Sequence, residues 1–449
     1  MPPTRRIGLL FAYDWDRIGF DRQASRHGFD HAGFDLFSFP DNLRLIGFDL
    51  DRFADRTADR ARRRDWSAVL SHHEPFGALA SAMVAEQLGL PGVPPEAILA
   101  AQHKLHARRV LANVAPEACL SFAGLDLDYG EPVPEQLPAG FEYPVYVKPI
   151  KAAFSVLARE VGSRAALQAH TRFDWRELWV IRHLVEPFDR VCRARLPQAG
   201  SAHRLLLEAP VDPATPQFNL DGWVFDGHVH ALGVVDAIVY PGTQAFMRWE
   251  VPSRLPESVQ ARALDVARRF LGAIGYSLGF FNLEFFYDAA TDRLTVIECN
   301  PRLASQFSDL YRRVQGIDAH AWSLALALGE DPRLLHREDP TARAAASLVY
   351  RAFDADGLPA MPDRALQAAW QQQFPDGLLL AFGRRGYSLQ RDLKWTGSHR
   401  YGIVHLGAQD PAHLEALAGT ASRMLGWPVP YTDGTRLERD DNPGAREVA

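Results

Sequence analysis

Residues 279–302, GFFNLEFFYDAATDRLTVIECNPR, restrict the fold more than any other stretch of the chain. They read as two strands, apolar on one face, joined by a turn at AATDR. With the turn centred near residues 290 and 291, antiparallel pairing sets Glu284 across from residue 297 or 298. Asn282 and Asn300 extend the same polar face. In the second strand Glu298, Asn300 and Arg302 occupy alternate positions and so share one side. Two carboxylates opposed across a sheet repel each other. A divalent cation reverses that repulsion, and Mg²⁺ prefers carboxylate oxygens, with phosphate or water completing its shell. The pattern alone leaves two readings. One is a solvent-facing hairpin with ordinary polar alternation. The other is a Mg²⁺ (or Mn²⁺) site at Glu284, Glu298 and Asn300 that holds a nucleotide triphosphate, with Arg302 at the phosphate end.

The rest of the chain supplies a scaffold for such a hairpin. Its first hundred residues alternate strand and helix signals: RIGLLFAY (6–13), DWSAVLSHHE (65–74), then the helical PFGALASAMVAEQLGL (75–90). That order predicts a parallel sheet with helices on both faces. The arginine-rich ADRTADRARRRD (54–65) reads as a solvated helix face. HKLHARRVLANV (103–114) is a further helix, and a Pro-rich connector leads into the strand VYVKPI (145–150). ESVQARALDVARRFLGAIG (257–275) repeats Val259, Ala263, Val266, Phe270 and Ile274 at helical spacing and stops at Gly275. At 449 residues the chain has room for about three domains. A net charge of −6 argues against nucleic acid as the main partner. No apolar run reaches the roughly 18 residues of a membrane span. The early end of the first apolar run at Asp14 reads as a core strand and not a signal peptide. Three cysteines without CxxC spacing fit neither a disulfide framework nor a zinc site, and a reduced cytoplasm is the expected location.

LEFFYDAATDRLTVIECNPRL resembles the closing motif of the ATP-grasp superfamily, in which a strand ending in Glu is followed by an Ile-Glu-x-Asn-Pro-Arg strand. The resemblance extends over roughly residues 5 to 335. It implies a Rossmann-like α/β domain (1–115), an ATP-grasp domain of α+β character (116–335) split near 208–212, an additional α+β domain (336–432) and a frayed tail (433–449). It further implies that Glu284, Glu298 and Asn300 bind magnesium. Lys104 and Lys148 stand as the nucleotide-binding lysines, and Glu208, Ala209 and Val211 in LLLEAPV as the hinge that meets adenine. Gln217 replaces the glutamate expected at the ribose. The phosphate-covering loop reads KPIKAAFSVLARE, where alanines and Phe154 replace the usual glycines and Ser155 is retained as a donor. The GxxxxGK[ST] and GxGxxG phosphate cradles do not occur in the sequence.

Members of that superfamily mostly join a carboxylate to an amine through an acyl phosphate, releasing ADP and phosphate. By resemblance the chain is therefore an ATP-dependent carboxylate–amine ligase acting on small molecules, an amino acid or small peptide first among them. Lys148 and Arg302 would offset charge in the transition state. Two alternatives stand beside it. A biotin-carboxylase-like enzyme would need a base where this chain has Gln306, an amide that cannot take a proton. A nucleotide-binding protein without catalysis would explain the atypical phosphate loop. Further substrate candidates are Glu74, behind His72 and His73 at a strand-to-helix turn, Arg248, suited to bidentate carboxylate binding, and Arg302 and Gln306 beside the closing motif. Helix capping and surface polarity are the plainer account of the two histidines, ahead of a substrate-facing turn. Dimers are common in such enzymes, and no residue in the sequence demonstrates one.

Overall fold

The apolar runs near the N-terminus have the composition of strands covered on both faces. A computed structural model describes residues 5–36, 40–152, 157–383 and 387–431. In it these runs become β1 (Arg5–Leu10), β2 (His27–Ala32) and β3 (Trp66–Leu70), a parallel three-stranded sheet in the order β2-β1-β3. Five helices follow or intervene: α1 (Asp14–Asp21), α2 (Leu50–Arg64), α3 (Gly77–Leu88), α4 (Pro95–Gln102) and α5 (Lys104–Val114). The arginine-rich run lies on α2, which buries Ala54, Ala58 and Ala61 and turns its arginines outward. Asp49 caps that helix by accepting the Arg52 N–H at 2.9 Å, satisfying a donor that the first turn leaves open.

A second, four-stranded antiparallel sheet comprises β4 (Phe122–Leu125), β5 (Val145–Pro149), β6 (Arg159–Val161) and β7 (Leu205–Glu208), in the order β4-β7-β5-β6. Val145, Val147, Leu205 and Leu207 pack against Leu167 of α6 (Arg164–His170) and Ile181 of α7 (Trp175–Arg195). Strand alternation then puts Lys148 and Glu208 on the opposite face.

The third sheet has eight strands in the order β12-β11-β8-β9-β10-β13-β15-β14, all antiparallel. Its members are β8 (Gln217–Phe225), β9 (His228–Val239), β10 (Phe246–Val251), β11 (Gly279–Asp288), β12 (Arg293–Asn300), β13 (Ala344–Ala352), β14 (Leu378–Ala381) and β15 (His399–Ala408). The hairpin pairs as the sequence predicts: Asp288 with Arg293, Glu284 with Glu298, Asn282 with Asn300. Phe281, Leu283 and Phe285 are fully buried on the reverse face, against a core that includes Phe218 and, from α8 (Glu257–Ala273), Phe270. Each such side chain contributes roughly 1.5–3 kcal/mol. A one-residue slip would turn all three outward, so the core fixes which face carries the carboxylates.

Segment 336–432, expected as a domain of its own, adds β13, β15 and β14 to this same sheet beyond β10, where Arg248 pairs with Leu348. Its distal face has a core of Tyr350, Tyr401 and Trp427 under the helix Pro411–Leu425. Two shorter helices, α9 (Ser308–Gln315) and α10 (Ala319–Ala327), follow the hairpin. The expected tail 433–449 lies outside the described residues. Among the described residues no helix is long and apolar enough to cross a membrane.

Candidate active site

Three neighbouring strands, β8, β11 and β12, carry a polar row on one face. Glu284 sits between Asn219 and Glu298, and Asn282 lies beside Asn300. Asn300 Nδ2 donates to Glu284 Oε1 at 3.0 Å and to Asn282 Oδ1 at 3.1 Å. Asn282 in turn donates to Asp221 at 2.9 Å, and Asp221 accepts the Tyr311 hydroxyl at 2.6 Å. The row is thus held from behind by hydrogen bonds and cannot swing freely. Burial and the facing charge of Glu298 push the Glu284 carboxyl well above the usual carboxylate range. At Glu298 burial acts the same way, but Lys104, Lys148 and Arg302 outweigh it and hold the group ionised.

Cations close the other side. Lys104, at the start of α5, places its ammonium 2.7 Å from Glu298 Oε2 and donates to the Ala152 carbonyl at 3.0 Å. One turn later on the same helix face, Arg108 reaches Glu208 at 2.5 Å and the carbonyls of Val296 and Ile297 at 2.7 and 2.8 Å. Lys148 of β5 meets the other Glu208 oxygen at 2.8 Å. Burial pushes Lys148 down against the pull of Glu208, while Arg108 and Lys148 overcome burial to keep Glu208 ionised. Sequence reasoning had missed Arg108, although its spacing of four from Lys104 was a usable signal.

Arg302, just beyond β12, points at the N-terminal sheet. Its Nε lies 3.1 Å from Glu74 Oε2, at the turn between β3 and α3. Lys151, also missed, approaches the other Glu74 oxygen at 3.8 Å and donates to Gln102 at 2.9 Å. Burial drives the Lys151 ammonium down to about 8. The Tyr13 hydroxyl near this pair is buried, which pushes it above the ordinary phenol range.

No known family profile matches the chain. Two curated proteins share part of its sequence. Carnosine synthase 1 of Gallus gallus is 28% identical over 299 residues, 64% of this chain and 30% of that protein. An uncharacterized protein of Sinorhizobium fredii is 26% identical over 297 residues, 64% of this chain and 54% of that protein. The chain thus spans about half the length of one relative and under a third of the other. The crystal structure of an L-amino acid ligase from Bacillus licheniformis superposes with a TM-score of 0.68 at 17% identity, covering 94% of this chain and 98% of that one. The chain has the ATP-grasp fold.

Within this ATP-grasp frame the structure brings Lys104, Lys148, Glu208, Glu284, Glu298, Asn300 and Arg302 into one connected cluster where α5, the four-stranded sheet and the eight-stranded sheet meet. Gln217 lies two residues before Asn219, on the same face of β8. At the hinge, the Ala209 N–H is bonded to the Ser121 carbonyl at 3.0 Å, so Ala209 keeps only its carbonyl for a ligand. Glu208 itself is buried between Arg108 and Lys148, which makes its side chain an ion-pair partner of the lysine. Val211 follows β7 on the same connector. Ser155 lies outside the described residues. Gln306 donates to Ser347 of β13 at 2.9 Å, which ties the site to the added strands. Arg248 departs from expectation. It is fully buried, bonded to Glu250 at 2.7 Å and to the Pro430 carbonyl at 3.3 Å, and covered by the Tyr431 ring at 4.2 Å. A guanidinium enclosed in this way does not face an open substrate cleft. His73 Nδ1 accepts the Phe76 and Gly77 N–H groups at 3.4 and 3.3 Å just ahead of α3, and it is buried, not a surface residue.

Proposed function

We propose that this chain is an ATP-dependent ligase that joins the carboxylate of an amino acid or small peptide to an amine through an acyl phosphate, releasing ADP and phosphate. The observation that supports this most is the facing pair Glu284 and Glu298, ringed by Lys104, Lys148 and Arg302. Such a row disfavours the ionised form of one carboxyl, Glu284, and a cation bound there would reverse that. Glu284, Glu298 and Asn300 fit Mg²⁺ by donor type and would hold it, where it would neutralise triphosphate oxygens.

The chain's own residues do the rest by position and charge. Lys104 and Lys148 now neutralise Glu298 and Glu208, and both can turn to phosphate oxygens within the same cleft. The substrate carboxylate attacks the γ-phosphorus, the bond to the β-phosphate oxygen breaks, and ADP leaves. Arg302 stabilises the charge that develops on the transferred group. An amine then attacks the acyl carbon, phosphate departs, and the nitrogen loses a proton.

The Arg302–Glu74 ion pair favours an α-amino acid as the activated substrate, because a zwitterion can replace both partners at once. Its carboxylate takes Arg302 and its ammonium takes Glu74. The names of an L-amino acid ligase and a carnosine synthase among the similar proteins support the same class. The bicarbonate-activating reading is weakened by Gln306, an amide engaged with Ser347. ADP and phosphate release, measured with ATP, Mg²⁺ and panels of amino acids, tests the proposal. Hydroxylamine should trap a hydroxamate from the activated carboxylate. AMP as the main product, or no amino-acid-stimulated turnover at all, would defeat it.

A further inference from the structure

A second buried polar cluster lies on the far side of Glu74, at the carboxyl edge of the N-terminal sheet. Asp16 in α1, His72 after β3, Ser305 beyond the Asn-Pro-Arg segment and His320 in α10 meet there, and all are buried. One oxygen, Asp16 Oδ1, accepts from His72 Nδ1 at 2.7 Å and from Ser305 Oγ at 2.6 Å. Ser305 Oγ also lies 3.1 Å from His72 Nδ1. The same His72 nitrogen serves both partners, so the group lacks the relay order of a nucleophilic triad, in which the base uses its two nitrogens separately.

His320 completes the cluster: its buried Nε2 faces the same Asp16 oxygen from 3.4 Å, a longer contact than that of His72. The packing is built around this ring: a Cβ on Gly19 of α1 would come within 2.3 Å of it.

We propose that Asp16, His72 and His320 form a binding site for a divalent transition-metal ion, zinc first among them, with Ser305 or a water as a further ligand. Two imidazoles and one carboxylate are a donor set suited to such ions and poorly suited to Mg²⁺. The candidate donor atoms of the three residues all lie within 4.8 Å of one another. A tetrahedral ion with bonds of about 2.0–2.1 Å separates its donors by roughly 3.3 Å. Binding therefore requires Asp16 and His72 to part by roughly half an ångström and the ion to replace the Nδ1 proton. A cavity of about 80 Å³ lined in part by His72, Pro301 and Arg302 gives room there. The ion would pin α1, the β3–α3 turn, the segment carrying Arg302 and α10 to one point.

Metal uptake by the full chain decides the matter without reference to activity. Protein stripped with EDTA is exchanged into millimolar Mg²⁺, which occupies carboxylate sites, and titrated with Co²⁺ and then Zn²⁺. The expected result is one Co²⁺ per chain with visible ligand-field absorption, bleached by equimolar Zn²⁺. His72→Asn and His320→Asn should each weaken Zn²⁺ binding at least about tenfold. Glu298→Gln should leave it unchanged, which separates this site from the proposed nucleotide site. Absence of cobalt absorption and zinc uptake in the wild-type protein would overturn the proposal. So would uptake that both histidine variants retain in full. The wild-type titration stands as the test if a variant fails to fold.

Discussion

Glu298 stands 2.7 Å from Lys104 and directly across from Glu284, so attraction and repulsion meet on one side chain. Glu298→Gln removes both. In the apoprotein the two losses offset, and denaturant titration should show stability changed by no more than about 1 kcal/mol. Turnover with ATP, Mg²⁺ and an active amino acid should fall at least about a hundredfold. Near-normal turnover in a folded variant would refute the role given to the hairpin. Asp236 of β9 offers an independent residue-scale test. It accepts from Ser253 and from the Arg254 N–H, and burial lifts its carboxyl to about 6. The native chain therefore keeps this proton at pH values where the unfolded chain, with an ordinary value near 3.9, has lost it. The stability this group contributes is complete below pH ~4 and lost as pH rises through about 6. Asp236→Asn, compared with wild type by urea unfolding at pH 4 and pH 7, should gain relative stability with rising pH, by up to about 3 kcal/mol. An unchanged difference across that range would contradict the buried-acid account.

Strand β8 shows how an element is held in place by one absent atom. It runs between β9 and β11, with an irregular register between Asp221 and Gly222. A Cβ at Gly222 would lie 2.3 Å from the His230 carbonyl oxygen and 2.4 Å from the Phe281 ring. Neither neighbour can yield cheaply, since one is backbone and the other is fully buried. Gly222→Ala should cost about 3 kcal/mol, read from denaturant midpoints, and should displace the Asn219–Asn282 contact enough to weaken nucleotide binding. A variant as stable as wild type would show that the sheet relaxes more easily than its packing implies. Helix α7 illustrates a legible element that sequence reading passed over. Asp174 accepts from the Glu177 N–H, and Glu177 returns a bond to Asp174, a capping box readable in DWRE. Pro187 inside the helix obscures the periodic pattern, but the start signal was there.

At the scale of the molecule, the eight-stranded sheet runs unbroken from the carboxylate hairpin to β14. Residues after 336 are therefore part of the support of the site. Removing them would expose the β10 edge and the faces of Trp249 and Val251 that share a core with Ala345 and Val349. An unpaired apolar edge of that kind invites aggregation. A chain ending at residue 335 should be insoluble or unfolded by gel filtration and circular dichroism. A soluble, ATP-binding fragment would restore the view of an independent C-terminal domain.

The hairpin register, the Glu284–Glu298 opposition, the α5 and α8 helices and the parallel N-terminal sheet were all legible in the sequence. Periodicity and turn spacing encode which residues share a face, and those rules act over a few residues. The meeting of faces is another matter. Arg302 and Glu74 are 228 residues apart, and no local pattern pairs them. Arg248 looked like an accessible carboxylate binder until β10 was seen to be an interior strand with Pro430 and Tyr431 closed over it. The Asp16–His72–His320 cluster draws on three separate elements that only the packing of α10 against β3 and α1 assembles. Local sequence determined the elements and the side each one presents; long-range burial of apolar surface decided which sides face each other, and with them the partners of every buried charge.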